Sequence, residues 1–64
     1  MAPNLISIDE VMRRTSIRRS KLYELIHVGD FPLPVKIGTA SRWADTEIAA
    51  WIQARMQGRM LELH

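Results

Sequence analysis

The sequence predicts a mainly α-helical domain with a small β-hairpin, in the order helix, turn, helix, hairpin, helix. Three observations lead there. Two short stretches with helical apolar spacing are separated by about three residues, Thr15 to Ile17. Pro32 and Pro34 then forbid helix and hand over to the alternating residues Val35, Lys36 and Ile37. A third apolar stripe, Ile48, Trp51, Ile52 and Met56, returns to helical spacing. Two short helices joined by so brief a connection read as a helix-turn-helix.

The first helix is expected over Ile8 to Arg14. Ser7 followed by Glu10 forms a capping box, with the serine hydroxyl accepting from the Glu10 N–H and the glutamate reaching back to the Ser7 N–H. Ile6 and Val11 are placed to close a hydrophobic staple across that cap. Thr15, Ser16 and Ile17 interrupt the helix, because two side-chain hydroxyls compete for backbone hydrogen bonds, and one of them is available to cap the next helix. The second helix starts near Arg18, turns Leu22, Leu25 and Ile26 inward, and ends at Gly29, a residue suited to left-handed backbone.

In the hairpin, Val35 and Ile37 form the first strand, Gly38, Thr39 and Ala40 the turn, and Ser41, Arg42 and Trp43 the return. Asp45 is expected to cap the third helix, with Glu47 in its first turn, where negative charge complements the helix dipole. Gly58 is expected to stop that helix after Gln57, leaving Arg59 to His64 as a frayed tail. One core should gather Val11, Ile17, Leu22, Leu25, Ile26, Phe31, Val35, Ile37, Trp43, Ile48, Trp51 and Ile52. The 64 residues then make a single domain, ordered over about 5–57.

Size and composition exclude several classes of function. A chain of 64 residues buries only about 60% of its unfolded surface, which leaves little room for a deep catalytic cavity. Hydrophobic residues at 47% and charged residues at 25% describe a folding chain. With no cysteine, neither disulfides nor thiolate metal sites supplement the core, and a cytoplasmic setting is expected. No apolar run has bilayer-spanning length, and Met1 to Ile8 lack the pattern of a signal peptide. His27 and His64 are the only histidines, with no HExxH and no phosphate loop at Gly38, so no enzyme, cofactor or metal is expected. His27 reads as a cation-capable residue at a helix C-terminus.

The net charge is only +2, but its distribution is uneven. Arg13 to Lys21 contain five basic residues and no acidic one, and Arg13 to Arg42 hold seven against two, or +5. A basic middle between acidic flanks suits a face that meets a polyanion. Basic runs are also commonly solvated helix faces, so spatial context decides. With the second helix's apolar stripe inward, Arg19, Ser20, Tyr23 and Glu24 lie on or near the outward side, with Arg18 and Lys21 at its margins. Basic residues at the leading half of a recognition helix are placed for base edges. Arg18 or Arg19 suits guanine O6 and N7; Ser20 and Lys21 suit phosphates; Arg13 and Arg14 would lie close to the nucleic-acid backbone. Tyr23 reads equally as a DNA contact or a half-buried ring. Lys36 and Arg42 either reach an adjacent groove or decorate a solvated hairpin. Trp43 and Trp51 could stack on unpaired bases, but their apolar spacing places them in the core.

These residues resemble the AlpA-type prophage regulators, relatives of phage excisionases and of the MerR-like winged helix-turn-helix group. The resemblance runs from Leu5 to about Met56. It rests on Leu5-Ile6-Ser7, Glu10-Val11, Thr15, Ser20-Lys21-Leu22-Tyr23, Leu25-Ile26, Gly29-Asp30-Phe31-Pro32, Pro34-Val35-Lys36-Ile37-Gly38, Arg42-Trp43, Glu47-Ile48 and Ala50-Trp51-Ile52. It implies a winged helix-turn-helix with its second helix in the major groove and a hairpin wing alongside, in a regulator acting on integration or excision genes. Arg14, Arg18, Arg19, Ser20, Lys21, Tyr23, Lys36 and Arg42 form the expected DNA-binding set. Double-stranded DNA is the expected partner; further copies on adjacent sites, an integrase and RNA polymerase are secondary ones. An excisionase that bends DNA is the nearest alternative. From another class comes a protein-interaction adaptor using the third helix and tail, including Met56, Met60 and Leu61. In this chain Ser16 stands where such sequences often have glycine, and Arg18 where they often have a serine cap. The stretch from Gly38 to Trp43 is one residue shorter than the commoner form and lacks its wing-tip arginine, a role Arg42 is placed to take.

Overall fold

The computed structural model describes the backbone of residues 4–62 and the side chains of residues 4–58. Its elements are β1 (Leu5–Ile6), α1 (Ile8–Thr15), α2 (Arg19–His27), β2 (Val35–Ile37), β3 (Ala40–Ala44) and α3 (Asp45–Glu62). The expected order of helix, turn, helix, hairpin and helix is therefore present, and it is consistent with a winged helix-turn-helix. β1 is an addition that the sequence pattern did not predict, two residues long and too short to show alternation. It makes β3 the central strand of a three-stranded antiparallel sheet, order β1-β3-β2. No helix among the described residues is long and apolar enough to cross a membrane.

Ser7 caps α1 as expected, its Oγ accepting from the Glu10 N–H at 3.3 Å. The return half of the capping box does not form, because the Glu10 carboxylate turns to Arg13 and Arg14 instead. α1 ends where Ser16 adopts left-handed backbone at φ 59° and donates its N–H to the Met12 carbonyl at 2.8 Å. This conformation costs a side-chain-bearing residue roughly 1–2 kcal/mol, more than the extra chain entropy that glycine loses on folding. Ser16→Gly is therefore expected to stabilise the domain by about 0.5–1 kcal/mol, raising Tm by roughly 2–8 °C in thermal unfolding. A fall in Tm would mean that the Ser16 side chain contributes more than its backbone strain costs.

α2 begins one residue later than expected. Arg18 occupies the N-cap position with extended backbone and no side-chain capping bond. Neither hydroxyl of the turn replaces it: the Thr15 Oγ1 donates to the Val11 carbonyl at 2.9 Å and accepts from the Ile17 N–H at 3.3 Å. The far end is well closed. Gly29, at φ 83°, donates to the Ile26 carbonyl, and Asp30 donates to that of Leu25, the paired bonds of a Schellman motif.

Two indoles pin the segment after α2. Trp51 Nε1 donates to the Asp30 carbonyl at 2.7 Å and Trp43 Nε1 to the Pro32 carbonyl at 3.0 Å, while Phe31 meets Trp51 edge-on with ring centroids 4.8 Å apart. The buried core is Val11, Leu22, Phe31, Trp43 and Ile48. Ile6, Ile8, Met12, Ile17, Leu25, Ile26, Trp51 and Ile52 pack against it, partly buried. Both tryptophans are thus structural, as expected.

Val35 and Ile37 are corrections, 48% and 52% exposed rather than in the core. The cause is one residue of loop length. A turn made of Gly38, Thr39 and Ala40 would set Val35 opposite Trp43, on the same side. Instead the loop is only Gly38 and Thr39, so Ile37 opposes Ala40 and Val35 opposes Arg42. Opposed residues share a face and a single step reverses it, so Val35 and Ile37 point away from Trp43. Gly38, at φ 62°, supplies the positive φ that a two-residue hairpin needs at its first central position.

Two expectations for α3 also change. Asp45 is its first residue, and its carboxylate accepts from the Asn4 N–H at 3.1 Å while its own N–H donates to the Asn4 carbonyl at 2.8 Å. Asp45 therefore fastens the start of β1 to α3. Gly58 does not stop the helix, which runs on to Glu62. Flanked by good helix formers, a glycine costs only about 1 kcal/mol inside a helix. Of the expected tail, the side chains of residues 59–62 and all of Leu63 and His64 lie outside the described residues.

Candidate nucleic-acid interface

The inward stripe of α2 determines its outward one. Leu22 is fully buried, and Leu25 and Ile26 are partly buried. At about 100° per residue, Ser20, Tyr23, Glu24 and His27 occupy the opposite side. All four are exposed. Tyr23 is 42% exposed, which suits a half-buried ring with its hydroxyl in water as well as a groove contact. Arg19 and Lys21 do not sit on the crest of this face. Two residues apart, they flank it, separated by about 160° around the helix.

Each flanking cation has an acidic neighbour. Arg19 Nη2 lies 3.7 Å from Asp9 Oδ1 on α1, and Lys21 Nζ lies 3.4 Å from Glu24 Oε1. These are exposed, long pairs, which cost little to exchange for phosphate. Arg18 has no ion-pair partner among the described residues and stands exposed just before α2.

Arg14 is placed differently. It and Arg13 hold the Glu10 carboxylate, with Arg13 Nε at 3.0 Å and Arg14 Nε at 2.8 Å. The hydrogen bonds from Arg13 and then Arg14 bring the Glu10 pKa down from 4.5 to about 2, and the same contact raises that of Arg13. Arg14 also lines a cleft of about 430 Å3 with Thr15, Leu25, Trp51, Ile52, Arg55 and Met56. That cleft meets α2 on its inward side, so the structure does not bring Arg14 onto the Ser20 and Tyr23 face.

The hairpin's two cations point to opposite faces of the sheet, because they occupy adjacent registers. Lys36 opposes Ser41, and its Nζ donates to the Ser41 Oγ at 2.9 Å. Arg42 opposes Val35 at the root of the hairpin, with Nη1 donating to the Ser41 carbonyl at 2.9 Å. The tip itself is Gly38 and Thr39, so Arg42 does not take the wing-tip position.

Two further residues stand out in the structure: Glu24 on the outward face of α2, and Arg55 in the cleft on the inward side. Glu24 lies on the outward stripe, four residues after Ser20, and its negative charge argues against a phosphate contact. Arg55, four residues after Trp51, stacks its guanidinium 4.8 Å from the Trp51 ring and reaches the Asp30 carbonyl at 3.4 Å. Its spacing from Trp51 is legible in the sequence, but the distant carbonyl is not.

A family model described as Prophage CP4-57 regulatory protein (AlpA) matches residues 4–56. The chain belongs to the AlpA family. The match covers β1 through most of α3 and so takes in every element that builds the outward face of α2 and the hairpin. This AlpA chain is also 38% identical over 55 residues to a protein of Enterobacteria phage P4 described as uncharacterized protein ORF88. That alignment spans 84% of the chain and 62% of the phage protein. No solved structure matches the chain. The family is one of prophage regulatory proteins, which agrees with a helix-turn-helix module and gives no reason to seek catalysis in it.

Proposed function

We propose that this AlpA-family chain is a sequence-specific double-stranded DNA-binding transcription regulator of phage or prophage type. α2 enters the major groove and the β2–β3 hairpin lies alongside. The observation that carries this reading is the outward face of α2, polar from Ser20 to His27 and flanked by Arg18, Arg19 and Lys21. Buried Leu22 behind it makes this face available to a groove without disturbing the core. Base edges meet Ser20 and Tyr23; Arg18, Arg19 and Lys21 take phosphates, with Arg18 also within reach of guanine. Lys36 and Arg42, on opposite hairpin faces, contact at most one backbone strand each. Arg14 approaches only a phosphate beyond the end of α2. A module of this size buries roughly 600–1,000 Å2 on DNA, so useful affinity calls for further copies on adjacent sites. An integrase or RNA polymerase would be met through other surfaces.

With about five phosphate contacts, log K for a selected duplex is expected to fall against log salt with a slope of about −4.5. Fluorescence anisotropy across a salt series measures it, and a flat response would refute the reading. An excisionase would use the same contacts to bend DNA; circular-permutation gel shifts beside a promoter reporter separate the two. One observation favours a second class, a protein-interaction adaptor: the cleft that Leu25, Trp51, Ile52 and the exposed Met56 line together with Arg14 and Arg55.

A further inference from the structure

We infer that Glu24 is a base-reading residue: its carboxylate accepts a hydrogen bond from an exocyclic amino group in the major groove, cytosine N4 above all, and so fixes one base pair of the site. This rests on the reading that α2 enters that groove. Glu24 is one turn beyond Ser20 on the outward stripe, next to Tyr23 and before His27, and it is the only carboxylate on α2. Its side chain is 67% exposed, and its contact with Lys21 at 3.4 Å engages Oε1 alone. Oε2 has no partner among the described residues.

A carboxylate among phosphates weakens binding to every duplex equally unless a donor meets it. In the major groove guanine O6 and N7 and thymine O4 repel it, adenine N6 donates but has the acceptor N7 beside it, and cytosine N4 donates with no acceptor on the same base. A wrong base leaves a desolvated charge without a partner, a larger penalty than a neutral side chain would suffer. The acid thus exchanges general affinity for discrimination. Lys21 makes the arrangement workable: it offsets the charge on approach and, lying at the margin of the face, turns to a phosphate as Glu24 turns to a base. Were the Lys21–Glu24 pair only a helix-surface contact, replacing Glu24 would leave Tm nearly level and base preference unmoved.

The test is selection of bound fragments from a random duplex pool by the wild type, Glu24→Gln, Glu24→Ala and Lys21→Gln, with thermal unfolding of each. The wild type is expected to select cytosine at one position. Glu24→Gln moves that position toward adenine, because glutamine pairs with N6 and N7, and Glu24→Ala loses the preference, discrimination falling roughly 10- to 100-fold. Lys21→Gln keeps the preference and reduces the salt slope by about 0.9. Unchanged preference in both Glu24 variants, or uniformly tighter binding to all sequences by Glu24→Ala, overturns the role of Glu24 and leaves DNA reading intact. A wild type that selects no sequence overturns both.

Discussion

Trp43→Ala is expected to unfold most of the population at 37 °C. Trp43 is fully buried on the central strand, paired with Ile6 of β1, and its Nε1 donates to the Pro32 carbonyl. Removing the ring deletes packing against the buried cluster and opens a cavity that a short, already thin core cannot refill, at a cost of roughly 3–5 kcal/mol. So small a domain has little more than that in total stability. The loss also propagates. Without the indole, the Pro32 carbonyl loses its donor, and the chain between α2 and β2 is held mainly through the Asp30 carbonyl and the Phe31–Trp51 contact. Trp43→Phe separates the two effects: it keeps much of the packing but orphans the carbonyl, and should cost about 1–3 kcal/mol. Urea titration followed by far-ultraviolet circular dichroism ranks the three proteins. An alanine variant as stable as the wild type would mean that β3 is not the strand around which the core is built.

The importance of Trp43 was legible in the sequence, and the fate of Val35 and Ile37 was not, for one physical reason. Alternation shows that a strand has two faces, but which face is inward depends on the partner strand, and that depends on the length of the turn. Gly38-Thr39-Ala40 admits a loop of two residues or three, and the difference of one reverses every side chain of β2. Helical spacing has no such ambiguity, since α1 and α2 carry their inward stripes in their own periodicity. That is why Leu22, Leu25 and Ile26 were placed correctly from sequence alone. Caps were half legible. The Ser7 hydroxyl acts as its pattern implies, yet Glu10 is drawn to two arginines one turn on, and Asp45 is taken by Asn4 from 41 residues away. Local pattern proposes a partner; competition from other groups selects it. The candidate site obeys the same rule. The outward face of α2 was readable from its inward one, whereas the divergence of Lys36 and Arg42 required the hairpin register.

Reversing Arg18 and Arg19 together to glutamate is expected to abolish detectable DNA binding while leaving the fold intact and its stability within about 1 kcal/mol of the wild type. The two effects are separable because these arginines are locally ill-suited to their positions. Arg18 is the N-cap of α2 and makes no capping bond, and Arg19 is the first helical residue. Both therefore place positive charge at the end of a helix that already carries a partial positive charge, where an acidic residue is favoured by about 0.3–1 kcal/mol. Losing the exposed Arg19–Asp9 contact and setting a second acid near Asp9 offsets part of that gain. For stability alone, glutamate or a capping serine would serve better at these positions. Toward DNA the change runs strongly the other way. Two cations disappear from the leading edge of the outward face and two anions replace them, so the salt slope falls in magnitude by at least about 1.8 and affinity at moderate salt by roughly 100-fold or more. A loss of binding caused by misfolding would bring a lower Tm with it, whereas loss of an interface leaves Tm level or higher. Anisotropy and thermal unfolding on the same preparation distinguish these outcomes. Unchanged DNA affinity would move the functional surface to the cleft lined by α1, Leu25 of α2 and α3, and favour the adaptor reading. Residues that break the local rules of a fold without benefit to it are where function is expected to lie, and in this chain two such residues stand side by side at the start of α2.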